Sequence, residues 1–121
     1  MRDIEFRGKC SFDGEWLYGD LSSRHNSPEF PLYPCIGSGR MHEVYPDTIG
    51  QFTGLKDING VKIFEGDIVI NYMGLFKRAQ VKWDEKNLAW GVLTLGKRNY
   101  PLCVETEYEV IGNVHDNPEM L

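Results

Sequence analysis

The chain has no hydrophobic run near the ~18 residues that a membrane span requires. Its apolar stretch Ile68-Val69-Ile70 is a strand core. No secretory leader opens it, because Met1-Arg2-Asp3-Ile4-Glu5 is charged where an apolar segment should begin. No membrane association and a cytoplasmic location are therefore expected. Cysteine is scarce. Cys10, Cys35 and Cys103 are widely spaced and odd in number, which argues for reduced thiols and against a disulfide framework. Positive charge is also short. Thirteen Lys and Arg against eighteen Asp and Glu leave a net charge of −5 and a pI near 5.1. Such a molecule repels a phosphate backbone, so a nucleic-acid role needs a local basic patch.

Signatures of chemistry are missing too. Histidine is limited to His25, His42 and His115, and none stands in a nucleophile motif. Gly-x-Ser-x-Gly is absent, since Gly37-Ser38-Gly39 lacks the spacers. Without C-x-x-C or H-x-x-x-H, nothing pre-arranges two ligands for a metal. Asp57-x-Asn59-Gly60 starts like a calcium loop, but Val61 stands where a third oxygen ligand belongs. Gly37-x-Gly39 follows no predicted strand, which removes a dinucleotide fingerprint. Carboxylate pairs such as Glu65 with Asp67 or Asp84 with Glu85 occur in any acidic protein. No catalytic residue, cofactor site or metal site is assigned, and the protein is expected not to be an enzyme.

What the chain does have is turns. Thirteen glycines and six prolines in 121 residues suit short strands better than long helices. Ile4 and Phe6 alternate with charged neighbours, and Ser11-Phe12-Asp13-Gly14 is turn chemistry, so residues 1–21 read as an N-terminal hairpin. Residues 22–43, rich in Ser, Pro and Gly, read as a long loop. From residue 44 the pattern is of strands between tight turns. Lys56-Asp57-Ile58-Asn59-Gly60 predicts a type I′ hairpin, and Glu65-Gly66-Asp67 a second turn. Met73-Gly74-Leu75 and Asp84–Asn87 are further turns. Ala79, Val81 and Trp83 share one strand face, and Gly91 suggests a bulge in the strand that follows. Asn117 before Pro118 predicts a capped helical turn at the C-terminus. The expected architecture is a single all-β domain, residues 1–121, with a small SH3-like barrel over 44–121.

Lys77, Arg78 and Lys82 are the nearest approach to a basic patch. With Trp16, Tyr18, Phe52, Phe64, Tyr72, Trp83, Trp90 and Tyr108 they could form a stacking surface for single-stranded nucleic acid. In so small a domain, strand aromatics are instead expected in the core and isolated cations in solvent.

The block from Thr48 to Val69, reading TIGQFTGLKDINGVKIFEGDIV, resembles the characteristic segment of the YopX family. The opening Met1–Arg7, the segment Trp16–Leu21 and the ending Tyr108–Glu119 agree with it, while 22–43 and 73–105 diverge. The resemblance implies a gene carried by phages or prophages, a product in the bacterial cytoplasm and plausible self-association. It implies no activity, and no functional residue is carried over. Gly50, Gly54, Gly60 and Gly66 are spaced as turn residues. The expected function is thus an accessory protein acting through contacts with phage or host proteins, as a homo-oligomer. The alternative is a nucleic-acid-binding small barrel using Lys77, Arg78 and Lys82.

Overall fold

An extended strand begins at Phe6 and is folded back by the Ser11–Gly14 turn, but the alternation expected from Ile4 does not set its buried face, since Arg7 is 6% exposed and Ile4 66%. The computed structural model describes residues 4–22, 34–72, 77–94, 96, 98–102 and 107–121. β1 (Phe6–Lys9) pairs antiparallel with β2 (Trp16–Ser22), in register from Phe6↔Gly19 to Lys9↔Trp16. β3 (Cys35–Gly37) adds to β2, and β4 (His42–Glu43) to β3. A 3₁₀ turn at Pro46–Thr48 leads into β5 (Gly50–Lys56), whose first residues pair with β1. The order is therefore β4-β3-β2-β1-β5, with the strand that follows β5 completing a six-stranded sheet. An isolated bridge between Cys10 and Val44 draws the chain after β4 back onto the end of β1. Ile36 and Val44 are buried there, close to Gly8.

β5 turns back as β6 (Lys62–Phe64), followed by β7 (Asp67–Asn71), β8 (Ala79–Asp84), β9 (Ala89–Thr94), β10 (Asn99–Pro101) and β11 (Tyr108–Asn113). The last five form an antiparallel sheet in the order β10-β9-β8-β7-β11. Ile63, Val69, Ala79, Val81, Val92 and Tyr108 make its core, with Leu55, Trp90, Tyr100, Leu102 and Val110 packed against them. Contacts divide the chain into two compact units, Met1–Phe52 and Thr53–Leu121, with the division inside β5.

The protein is all-β, as expected, but it consists of two antiparallel sheets and not a closed SH3-like barrel. Closure would need β10 and β11 to meet. Instead, the second edge of β11 is taken by the β5–β6 turn, where the Ile58 N–H donates to the Tyr108 carbonyl at 2.9 Å. Residues 44–52, assigned from sequence to the barrel, lie in the first unit. The segment 22–43 is not simply a loop, because β3 and β4 lie within it. At three and two residues they are too short to display a period. Residues 23–33 lie outside the described residues, as does the turn expected at Met73-Gly74-Leu75.

Three local readings change as well. The β5–β6 turn is not type I′, since Gly60 is left-handed (φ +81°) and Asn59 is not. Gly60 N–H donates to Asp57 O at 3.0 Å and Asp57 N–H to Val61 O at 2.8 Å, the pattern of a type I turn completed by a left-handed glycine. β9 runs without a bulge through Gly91, which pairs with Lys82. A Cβ there would lie 3.0 Å from the Tyr100 carbonyl oxygen, so the glycine admits β10. The irregularity in the sheet falls instead between Val110 and Gly112. Pro118–Met120 is a single 3₁₀ turn, but Asn117 does not cap it with its side chain. Asn117 Oδ1 accepts the Asn113 N–H at 3.2 Å, fastening the tail to β11.

Two buried carboxylates hold the second unit. Asp57 is 8% exposed, and its Oδ1 accepts the N–H groups of Asn59 (2.8 Å) and Val61 (2.9 Å). Its Oδ2 accepts the Val110 N–H at 3.0 Å, joining the turn to β11. Asp67, 1% exposed, accepts the Phe64 N–H at 2.7 Å across the next turn. Charge-assisted bonds of this kind are the stronger class, and their loss strands buried N–H groups. Asp57→Ala should therefore destabilise the protein by about 3 kcal/mol, and Asp57→Asn by less. Urea unfolding followed by tryptophan fluorescence would check this, and an unchanged midpoint for Asp57→Ala would show that the carboxylate is dispensable.

Candidate functional site

The three cations singled out from sequence lie just before and within β8. Lys77 and Lys82 are exposed, while the Arg78 guanidinium donates to the Met120 carbonyl at 3.0 Å and so pins the C-terminal turn. Five Lys and Arg stand against eight Asp and Glu before residue 53, and eight against ten from there on. Neither unit is basic. The aromatics are mostly spent within the fold. Phe52, Phe64 and Tyr108 are buried, and Trp83 packs edge-to-face on Trp90 with centroids 5.2 Å apart. Trp83 remains 41% exposed, unlike its strand-mates Ala79 and Val81. The Trp16 ring is covered by Arg7 at 4.7 Å and Lys9 at 5.6 Å, a cation–π stack across β1 and β2.

Among the described residues, no three His, Cys, Asp or Glu side chains gather as metal ligands. The Asp57 carboxylate that opened the calcium-like spacing is occupied by three backbone donors. His42 is exposed on β4, and His115 lies in the turn after β11. His25 and Cys103 lie outside the described residues, while Cys10 and Cys35 are thiols.

The feature that stands out is the β1–β2 turn. Phe12 at its tip is 95% exposed. Turn tips ordinarily carry polar residues, and an apolar side chain in water forfeits about 1.5–3 kcal/mol of burial. The turn that carries it is rigidly built. Cys10 N–H donates to Glu15 O at 2.8 Å and Gly14 N–H to Cys10 O at 2.9 Å. Asp13 Oδ1 accepts the Glu15 N–H at 3.0 Å. From outside the hairpin, Ser11 N–H donates to Glu43 O at 3.0 Å, and Ser11 Oγ donates to Glu43 Oε1, also at 3.0 Å. The Tyr45 hydroxyl donates to Ser11 O at 3.1 Å, which fixes a second aromatic, 47% exposed, against the turn. A large apolar side chain held out on a pre-ordered turn can anchor a protein contact with little further loss of entropy.

Sequence reading noted Phe12 only as part of a turn. The available signal was a phenylalanine inside Ser-x-Asp-Gly chemistry. The brace from Glu43 and Tyr45 spans more than thirty residues and leaves no local trace.

The geometry defines an all-β protein of two antiparallel sheets that presents a braced, apolar-tipped turn. The family model described as YopX protein matches residues 5–121, and the chain belongs to that family. Among solved structures, the chain is similar to protein EF1440 from Enterococcus faecalis, with a TM-score of 0.60 and 24% identity. That match covers 100% of this chain and 99% of the other, and it speaks for the fold alone. No curated protein matches the chain.

The Asp13 carboxyl is held below its ordinary value of 3.8, chiefly by the Glu15 N–H, then by the Cys10 side chain, with a minor contribution from nearby His42. A depressed carboxylate contributes stability above its unfolded value and loses it only as pH falls through the lower folded one. The Asp13–Glu15 brace should therefore persist from pH 8 down to about 4.5 and fail only in stronger acid. An NMR titration of the Asp13 carboxyl and the Glu15 amide would check this. A midpoint above 3.8 would contradict the assignment.

Proposed function

We propose that this YopX-family chain is an accessory protein of phage or prophage origin that works in the bacterial cytoplasm by contacting other proteins. The contact surface in this reading is the Ser11–Gly14 turn with Tyr45 beside it. The observation that carries it is the 95% exposure of Phe12 on a turn fixed from both sides. Its acidity sets the protein apart from phosphate-binding domains. Of the aromatics that could stack on bases, Phe52, Phe64 and Tyr108 are buried and Trp16 is covered by cations, while Tyr18, Tyr72 and Trp83 are exposed.

Self-association belongs to the same proposal but uses other surfaces. The β10 edge is poorly suited to it. Leu102 N–H and Arg98 O bond towards β9, so Asn99 and Pro101 face outward, and Pro101 has no N–H to offer.

Phe12→Ala should leave the melting temperature within about 1 °C, because surface changes away from caps and cavities are close to neutral. It should also weaken partner capture at least about tenfold, or ~1.4 kcal/mol. A pull-down from lysate of infected host cells, quantified against the unmodified protein, gives the comparison. Sedimentation of the pure chain at micromolar concentration reads its own assembly. A strict monomer that captures no protein, or capture indifferent to Phe12→Ala, would overturn the proposal.

A further inference from the structure

The charges around Phe12 narrow the kind of partner it fits. Asp13 follows it directly, Glu15 closes the turn, and Glu43 is tied to Ser11 at the turn's base; all three are exposed. His42 exerts a minor pull on Asp13. Lys9, the nearest lysine in sequence, lies over the Trp16 ring. An apolar tip within a rim of carboxylates is thus presented as one rigid unit.

We infer that the Phe12 turn docks into an apolar pocket rimmed by lysine or arginine on a different protein, not onto a second copy of this chain. Two copies meeting turn to turn would bring three carboxylates against three, and like charges set face to face are a strong bar to docking. A basic rim turns the same carboxylates into steering and register, while Phe12 supplies the buried anchor. Tyr45, its hydroxyl occupied by Ser11, would flank that anchor as a second aromatic. The inference rests on reading this turn as the contact surface, and it adds the chemistry of what it meets.

The test begins with a photo-crosslinker, Phe12→p-benzoylphenylalanine, in full-length chain made in cells that carry the gene, with the same group at exposed Tyr18 as control. The cross-linked protein is then purified and its Kd measured for the unmodified chain, Phe12→Ala, and a neutral set of Asp13→Asn, Glu15→Gln and Glu43→Gln. These isosteres keep acceptors for the Glu15 N–H and the Ser11 hydroxyl, so the turn stays braced. Circular dichroism and the Glu15 amide shift confirm the fold. Expected are a heterologous adduct at position 12, at least about tenfold weaker binding for Phe12→Ala and at least about fivefold for the neutral set. Affinity should also fall as salt rises from about 50 to 300 mM. Binding that needs Phe12 but ignores both the neutral set and salt would overturn the basic rim while leaving the contact surface standing. An adduct only with a second copy would overturn the inference. No adduct beyond the Tyr18 control, or binding indifferent to Phe12→Ala, would overturn both.

Discussion

A single carboxylate organises the second half of this protein. Asp57 sits where β5 must reverse, and one oxygen satisfies two N–H groups of its own turn while the other reaches the Val110 N–H of β11. Local turn chemistry is thereby converted into tertiary structure. The β5–β6 hairpin is held on the last strand of the sheet, and the Ile58 N–H occupies the edge that β11 would otherwise expose. Asp67 repeats the device one turn later on Phe64. Around it, Gly66 N–H donates to Val81 and Gly66 O accepts from Val114, each at 2.9 Å. Buried backbone donors must find acceptors. In this unit, charged side chains spaced along one short block supply several of them.

That arrangement explains why the segment shared with the YopX family looks like a functional motif and is not shaped like one. Two of its acidic residues, Asp57 and Asp67, face amides of their own chain. Gly60 and Gly66 serve reversal, whereas Gly50 and Gly54, expected from sequence in turns, lie within β5. A block with so many of its groups committed to backbone partners has few left for chemistry. The surface proposed for contact lies in the other unit, on a hairpin turn that keeps a phenylalanine in water. In the proposed reading, architecture and contact are carried by different stretches of the chain.

Much of the architecture was legible from residue patterns. Alternation around Phe6, the turn chemistry at Ser11–Gly14 and the Asn59-Gly60 reversal place strands where they occur. Failures came where structure depends on distant partners. β3 and β4 are set by pairing with β2 and by the Cys10–Val44 bridge, and a three-residue strand has no period to read. The turn type at Asp57 was misjudged because Asn-Gly permits type I′, whereas the Asp57 side chain, bonding ahead to Asn59 and Val61, selects a longer loop. Arg78 also donates to the Met120 carbonyl, 42 residues away, a contact that no local pattern announces. For the same reason Phe12 was passed over. Its exposure and the Glu43 and Tyr45 contacts that stiffen its turn are properties of the folded sheet.

The claim that the block 48–69 is scaffold and the β1–β2 turn is the working surface can be tested in one experiment. Amide hydrogen exchange of the chain would be compared alone and saturated with its captured protein partner. The account predicts new protection at residues 10–15 and 42–45, with exchange across 55–69 unchanged. Protection confined to 48–69, with the turn at Phe12 exchanging as in the isolated protein, would contradict it.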